Sequence, residues 1–79
     1  MDFQPCTVGG AFVIIPQPRT DGRGSFARMW CANELAAQGL ASRLAQVNVA
    51  QNHRAGTLRG MHYQRAPHAE VKIVRCNRG

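Results

Sequence analysis

The sequence predicts an all-β domain, an incomplete sandwich or jelly roll that contains one short helix. Short runs rich in β-branched and aromatic residues alternate with turns rich in Gly, Pro, Asn and Asp, and only one segment carries helix capping signals. The chain supplies four or five such strands, whereas a jelly roll needs about eight. We therefore expect residues 1–79 to be the N-terminal part of a single larger domain.

The first half of the chain contains two predicted strands and the helix. Val8–Ile15 is β-branched and precedes a proline, which is typical of a strand. Pro16–Gly24 has the composition of a turn, and Phe26–Trp30 follows it as a short second strand. Asn33 is a plausible N-cap for a helix that runs through Gln38 and stops at Gly39.

The second half contains three further predicted strands. Leu44–Ala50 alternates between its two faces, and the polar segment Gln51–Gly56 follows it as a loop. Thr57–Tyr63 and Val71–Cys76 have the composition of strands, and the loop between them contains Pro67. The strands therefore continue to the last residues of the sequence.

The chain is strongly basic, and its positive charge is carried almost entirely by arginine. Ten Lys and Arg residues against four Asp and Glu give a formal charge of +6, and nine of the ten are arginine. Guanidinium groups bind phosphate with a fork geometry, so an anionic partner is expected. The arginines are scattered and no aromatic residues alternate with them, which disfavours a surface that binds single-stranded nucleic acid. A phosphorylated small molecule is the preferred partner, and a small basic nucleic-acid-binding domain remains the alternative.

The cysteines indicate no disulfide framework, and the lack of a long apolar run or a signal peptide makes a cytoplasmic location the expectation. Three cysteines (Cys6, Cys31 and Cys76) are an odd number without C-x-x-C spacing, so neither a disulfide framework nor a zinc knuckle is expected. No apolar run approaches the roughly 20 residues that span a bilayer. The N-terminus lacks the basic and apolar regions of a signal peptide. We therefore expect no membrane partner.

His62 is the most conspicuous titratable residue of the predicted strands. By alternation it shares a face with Leu58, Gly60 and Gln64, whereas Arg59 lies on the opposite face. A histidine in such a strand is often only a structural, hydrogen-bonded residue. A glycine inside a strand, however, often marks a bulge or the close approach of a ligand, and an arginine is adjacent to it here. His62 is therefore also a candidate general base, and a bulge at Gly60 would let Arg59 serve the same pocket.

The spacing around His62 does not favour a metal site. Gly56, five residues and His62 match the opening of the cupin metal signature, but the second histidine of that signature is replaced by Gln64. Glu70 lies one position beyond the usual place of the carboxylate ligand. Too few protein ligands remain for a typical divalent site, so we expect no metal and no cofactor.

Three further polar side chains are candidate site residues. Lys72 shares a predicted strand face with apolar Val74 and Cys76, so its ammonium either extends along the surface to solvent or enters a polar cavity, where it could stabilise an oxyanion. Gln46 and Asn48 project to one side of their strand, where their amides could bind ligand oxygens. A simple polar outer face of the sheet explains the pair equally well.

Four motifs in this order and spacing closely resemble the N-terminal part of dTDP-4-dehydrorhamnose 3,5-epimerases. The motifs are Asp21-x-Arg23-Gly24-x-Phe26, Gln46-x-Asn48, Gly56-x-Leu58-Arg59-Gly60-Met61-His62-Tyr63-Gln64 and Lys72-Ile73-Val74-Arg75. The resemblance runs from about Val8 to Gly79. It implies a cupin-type jelly roll that forms a homodimer, uses no metal and inverts C3 and C5 of a dTDP-4-keto-6-deoxyhexose on the route to dTDP-L-rhamnose.

The resemblance also implies a role for individual residues. His62 would remove the proton beside the C4 ketone, and Lys72 would stabilise the resulting enolate. Neutral imidazole, with an ordinary pKa of about 6.5, suits this proton transfer at physiological pH. Residues expected to bind the substrate are Arg23, Phe26, Gln46, Asn48 and Arg59, of which the two arginines would hold the diphosphate.

The sequence departs from the family pattern in two respects. Arg28 occupies a position where the family usually carries Glu, which would alter contacts to the nucleotide base or across the dimer. The family's later half, with the carboxylate that orients the histidine and a tyrosine acid, lies outside these 79 residues. Alternation points Tyr63 away from His62, so we do not expect it to replace that acid. The alternative function is therefore a non-catalytic cupin fragment that binds sugar nucleotide or only oligomerises.

Overall fold

The computed structural model describes all residues from Met1 to Gly79. The chain divides into two compact units, Met1–Arg43 and Leu44–Gly79. The regular secondary structure lies in the first of these, which we call the N-terminal unit. The second is called the C-terminal unit.

An antiparallel hairpin begins the N-terminal unit. Strand β1 (Asp2–Pro5) pairs with strand β2 (Phe12–Ile15). The rings of Phe3 and Phe12 meet edge to face with centroids 6.4 Å apart, a favourable aromatic geometry across the two strands. Gly10 has a φ of +81°, which L-residues rarely adopt, and it allows the connection to close. The predicted strand at Val8–Ile15 is thus confirmed only over its last residues, because the first ones form this turn.

A second antiparallel hairpin joins strand β3 (Arg19–Asp21) to strand β4 (Gly24–Phe26), with Arg19 opposite Phe26. The connection is closed by Asp21, whose Oδ1 accepts the backbone N–H of Arg23 at 2.8 Å. The prediction of turn alone over 16–24 was wrong, because the polar segment before Asp21 pairs with the strand that follows. The second predicted strand is also displaced, since Phe26 ends β4 rather than beginning a strand.

Helix α1 (Ala32–Ala37) follows and holds the buried side chain of Leu35. Its N-cap is Cys31, and Asn33 lies inside the helix, so the predicted cap was wrong. The predicted stop at Gly39 is confirmed by its φ of +71°. Gly39 N–H donates to Ala36 O and Leu40 N–H to Leu35 O, each at 3.0 Å, which is the Schellman arrangement.

The C-terminal unit contains no helix or strand. The predicted strands Leu44–Ala50, Thr57–Tyr63 and Val71–Cys76 were therefore wrong as strands within this chain. Backbone N–H and C=O groups need a neighbouring strand to form a ladder, and no segment of the 79 residues supplies one. Two turns organise the unit instead, with Thr57 N–H donating to Arg54 O at 3.4 Å and His68 N–H to Arg65 O at 2.8 Å.

The predicted class, all-β with one short helix, is confirmed. Small antiparallel sheets and a single helix are consistent with part of a cupin-type fold. No helix is long and apolar enough to cross a membrane.

Candidate functional site

His62 lies in an exposed part of the C-terminal unit, close to Gly60. A Cβ built on Gly60 would lie 3.5 Å from Cε1 and 3.9 Å from Nε2 of the imidazole. These are ordinary van der Waals distances, so the ring of His62 lies against the backbone at Gly60, although the segment is not a strand. The imidazole makes no hydrogen bond with another side chain or the backbone. Both of its nitrogens are therefore open to a ligand.

Arg59 is held away from that ring by a side chain of the preceding loop. Its Nε donates to Asn52 Oδ1 at 2.6 Å. The acceptor is a neutral amide, so no carboxylate offsets the charge of this guanidinium. Because Nε is the bound nitrogen, the two terminal nitrogens are left as a fork for an anion.

The paired amides and the lysine each interact with a residue two positions away. Asn48 Nδ2 donates to Gln46 Oε1 at 3.4 Å, which confirms that the two amides project to the same side. Lys72 Nζ lies 3.2 Å from Glu70 Oε1, and both side chains are partly exposed. Lys72 therefore has a carboxylate partner in solvent, where such a pair is weak and can be exchanged for another anion.

In the N-terminal unit Arg23 is held by Asp21. Its Nη2 donates to Asp21 Oδ2 at 2.8 Å, and its Nε makes a longer bond of 3.4 Å to Oδ1. These hydrogen bonds lower the pKa of the Asp21 carboxyl and raise that of the Arg23 guanidinium. Arg23 thus lies on the β3–β4 turn as an exposed side chain, with Nε and Nη2 directed at Asp21 and Nη1 free.

Phe26 opens onto a shallow cavity of about 510 Å³ in the N-terminal unit. The cavity is lined by Met1, Gln17, Pro18, Arg19, Phe26, Arg28 and Glu34. Arg19 reaches it because it is the cross-strand partner of Phe26. Phe26 is 77% exposed and shares the cavity lining with the two arginines, so the cavity offers both an apolar surface and positive charge to a planar, negatively charged ligand.

Glu34 organises one wall of this cavity. Its Oε1 accepts from the Met1 ammonium at 2.8 Å, and its Oε2 accepts from Arg28 Nη1 at 3.1 Å. The hydrogen bond from the ammonium, followed by that from Arg28, lowers the pKa of Glu34 from 4.5 to about 2. The same carboxylate raises the pKa of Arg28. The charge of Arg28, the residue that departs from the family pattern, is therefore offset by a carboxylate of its own unit while the guanidinium stays protonated.

Metal ligands and disulfides do not contribute to the structure. No group of three or more His, Cys, Asp or Glu side chains is placed to hold a metal ion. Cys6, Cys31 and Cys76 are all free thiols, and Cys6 and Cys76 are exposed.

Sequence reasoning missed two contributors to these arrangements. Asn52 was assigned only to a polar loop, although its oxygen holds Arg59. Glu34 was treated only as a helix residue, although it binds both Met1 and Arg28. A short polar side chain seven residues before an arginine carries no pattern that would have identified Asn52 in advance.

Residues 5–79 match the family described as dTDP-4-dehydrorhamnose 3,5-epimerase. The chain is 35% identical over its whole length to a protein of Sinorhizobium fredii with that name, and covers 40% of that protein. It is 36% identical to a dTDP-4-dehydrorhamnose 3-epimerase of Streptomyces niveus, over all of this chain and 38% of that protein. A dTDP-4-dehydro-6-deoxyglucose 3-epimerase of a Streptomyces species is 39% identical over 98% of this chain and 39% of its own length.

The chain thus spans about two fifths of the length of the curated relatives it matches. No solved structure gives a significant match.

Proposed function

Because this chain belongs to the dTDP-4-dehydrorhamnose 3,5-epimerase family, we propose that it acts in epimerisation of dTDP-4-dehydro-6-deoxy-D-glucose at C3 and C5. The observation that carries this proposal is the family match over residues 5–79, which includes the whole segment Gly56–Gln64 and its histidine. The proposed pathway is dTDP-L-rhamnose biosynthesis. Some relatives are named 3-epimerases. Inversion at C3 alone is therefore a narrower version of the proposed reaction.

The proposed chemistry begins at His62. One imidazole nitrogen takes the proton from the carbon beside the C4 ketone. The electron pair of that C–H bond forms a double bond to C4, and the π pair of the carbonyl moves to the C4 oxygen to give an enolate. Lys72 stabilises the enolate by exchanging its exposed contact with Glu70 for the developing oxyanion. A proton delivered to the opposite face of the same carbon then completes the inversion. No residue of this chain is proposed as the donor of that proton.

Substrate binding is proposed for five further side chains. Arg23 and Arg59 bind the diphosphate, since Asn52 leaves both terminal guanidinium nitrogens of Arg59 free and Asp21 leaves Nη1 of Arg23 free. Gln46 and Asn48 bind ligand oxygens as a preassembled pair of amides. The exposed ring of Phe26 stacks on a planar group of the nucleotide.

Proton exchange in deuterated water tests the catalytic assignment directly. The keto-sugar nucleotide is incubated with the 79-residue chain in deuterated water, and deuterium at C3 and C5 is followed by NMR. We expect incorporation by the original chain and loss of at least about 100-fold in His62→Ala, as for removal of a general base. His53→Ala is the matched control, because His53 lies in a loop of the same unit and should leave exchange unchanged. Exchange that persists in His62→Ala would refute the role of His62.

The second candidate function is binding of the sugar nucleotide without turnover. It is favoured by the imidazole of His62, which has no hydrogen-bond partner to fix its tautomer. This candidate predicts saturable binding of dTDP together with no deuterium at either carbon. The exchange experiment therefore separates the two candidates.

A homodimer in the cytoplasm is proposed as the working form. The large apolar side chains exposed in the C-terminal unit would be covered by association, and three free thiols suit a reducing compartment. Size-exclusion chromatography with light scattering measures the assembly, and a monomer across the micromolar range would contradict it. No nucleic acid, metal or other cofactor is proposed.

A further inference from the structure

Two of the nine arginines share a feature that the others lack. Arg23 and Arg59 each donate Nε to a side-chain oxygen, from Asp21 and Asn52 respectively. Arg28 uses a terminal nitrogen for Glu34 instead. The remaining six arginines make no side-chain hydrogen bond or ion pair. The two arginines with an anchored Nε are the two proposed to bind the diphosphate.

Anchoring at Nε prepares an arginine for an anion. It fixes the plane of the guanidinium while the terminal nitrogens remain free to donate, so less side-chain freedom is lost when phosphate binds. In Arg59 both terminal nitrogens are free, because Asn52 contacts Nε alone at 2.6 Å. In Arg23 one of them is also bound to Asp21, at 2.8 Å.

The two anchors differ in charge. Asn52 is neutral, so Arg59 keeps the attraction of a full positive charge for phosphate. Asp21 is a carboxylate that compensates the charge of Arg23 and competes with an incoming anion for Nη2. Both arginines are thus held at Nε, but a neutral side chain holds Arg59 and a negatively charged one holds Arg23.

We propose that Asn52 and Asp21 are positioning residues: Asn52 orients Arg59, and Asp21 orients Arg23, each arginine within its own unit toward a phosphate group. No carboxylate offsets the charge of Arg59, whereas Asp21 offsets that of Arg23. This rests on the proposed function in assigning the two arginines to the diphosphate. Neither anchor touches the ligand in this proposal. Each acts through the arginine that it holds.

Exchanging the charge of each anchor gives opposite predictions. Asn52→Asp keeps an oxygen beside Nε but adds a competing charge, so the Kd for dTDP should rise about 10-fold. Asp21→Asn keeps the oxygen that accepts Nε but removes the competing charge, so the Kd should fall about 2- to 5-fold. Asn52→Ala frees the side chain of Arg59 without adding charge, and a rise of about 2- to 10-fold is expected. An effect of net charge alone would also give opposite signs, but it would appear equally in charge-matched substitutions elsewhere in each unit.

Calorimetric titration of the full 79-residue chain with dTDP measures these shifts, and thymidine serves as the probe without phosphate. Asn77→Asp and Asp2→Asn are the controls, because they change the charge of the same units by the same amount at residues that bind no arginine. Circular dichroism checks that each variant retains the original spectrum. We expect thymidine binding and both controls to stay within about two-fold of the original chain, since they do not involve the anchored arginines.

Shifts of the same sign in Asn52→Asp and Asp21→Asn would overturn the proposal. So would an equal effect of Asn77→Asp and Asn52→Asp, or no binding of dTDP by the original chain. Failure of the proposed enzymatic function gives a different result. In that case deuterium exchange is absent while the opposite shifts in dTDP affinity remain.

Discussion

Replacing Leu35 with alanine should remove most of the stability of the N-terminal unit. Leu35 is the one fully buried side chain, at 1% exposure, and it packs from helix α1. Burying a leucine is worth about 1.5–3 kcal/mol, and truncation to alanine adds the cost of a void, which brings the usual total to about 2–5 kcal/mol. A unit of this size rarely holds more than about 3–5 kcal/mol from its core. A loss of about 3 kcal/mol therefore approaches the whole free energy of unfolding.

Urea unfolding followed by circular dichroism measures this effect. We expect a cooperative transition for the original chain and, for Leu35→Ala, a helical signal already lost without denaturant. Val13→Ala is the control, because Val13 is 53% exposed on strand β2 and should cost less than about 1 kcal/mol. The reasoning is refuted if Leu35→Ala changes the free energy of unfolding by less than about 1 kcal/mol, or no more than Val13→Ala does.

Two further predictions concern ionisation and backbone strain. Because the pKa of Glu34 falls from 4.5 to about 2 on folding, its contribution to stability is complete above pH 4.5 and is lost as the pH falls through about 2. The melting temperature should therefore drop between these pH values more steeply in the original chain than in Glu34→Gln, and parallel curves would contradict the ion pairs of Glu34 with the Met1 ammonium and Arg28. Gly10→Ala should cost about 1–2 kcal/mol in urea unfolding because alanine resists a φ of +81°, whereas Gly9→Ala, which meets open space without positive φ, should cost less than half as much.

Local signals in the sequence predicted the N-terminal unit only in part. Gly39 was identified as the helix stop because the requirement for positive φ is local and belongs to one residue. The cap was misplaced by two residues because Asn33 has the better intrinsic propensity but Cys31 has the extended backbone. Strand β1 was missed because Asp2–Pro5 contains a proline and polar residues, and its pairing with Phe12–Ile15 decides its conformation.

The sequence identified the motif of the candidate site, but it did not identify the side chains that hydrogen-bond to the site residues. The segment Gly56–Gln64 indicated the family, which the match over residues 5–79 bears out. The contacts of Arg59 with Asn52 and of Arg28 with Glu34 could not be predicted, because long side chains choose among several acceptors of similar energy. The strands expected around His62 could not form for a different reason, since a ladder needs a second strand and alternation describes only one.

The stop at Gly39 also limits how this position can change over generations. A φ of +71° is tolerated by asparagine and, less well, by aspartate among the L-residues. Single-nucleotide changes in a glycine codon lead to Ala, Val, Ser, Asp and other residues, but not directly to Asn. A change from glycine to asparagine at this position must therefore pass through an intermediate residue that makes the protein less stable, and Asp is the mildest of these. Descendants of this gene should accordingly retain glycine at position 39 even where neighbouring codons of the helix vary freely.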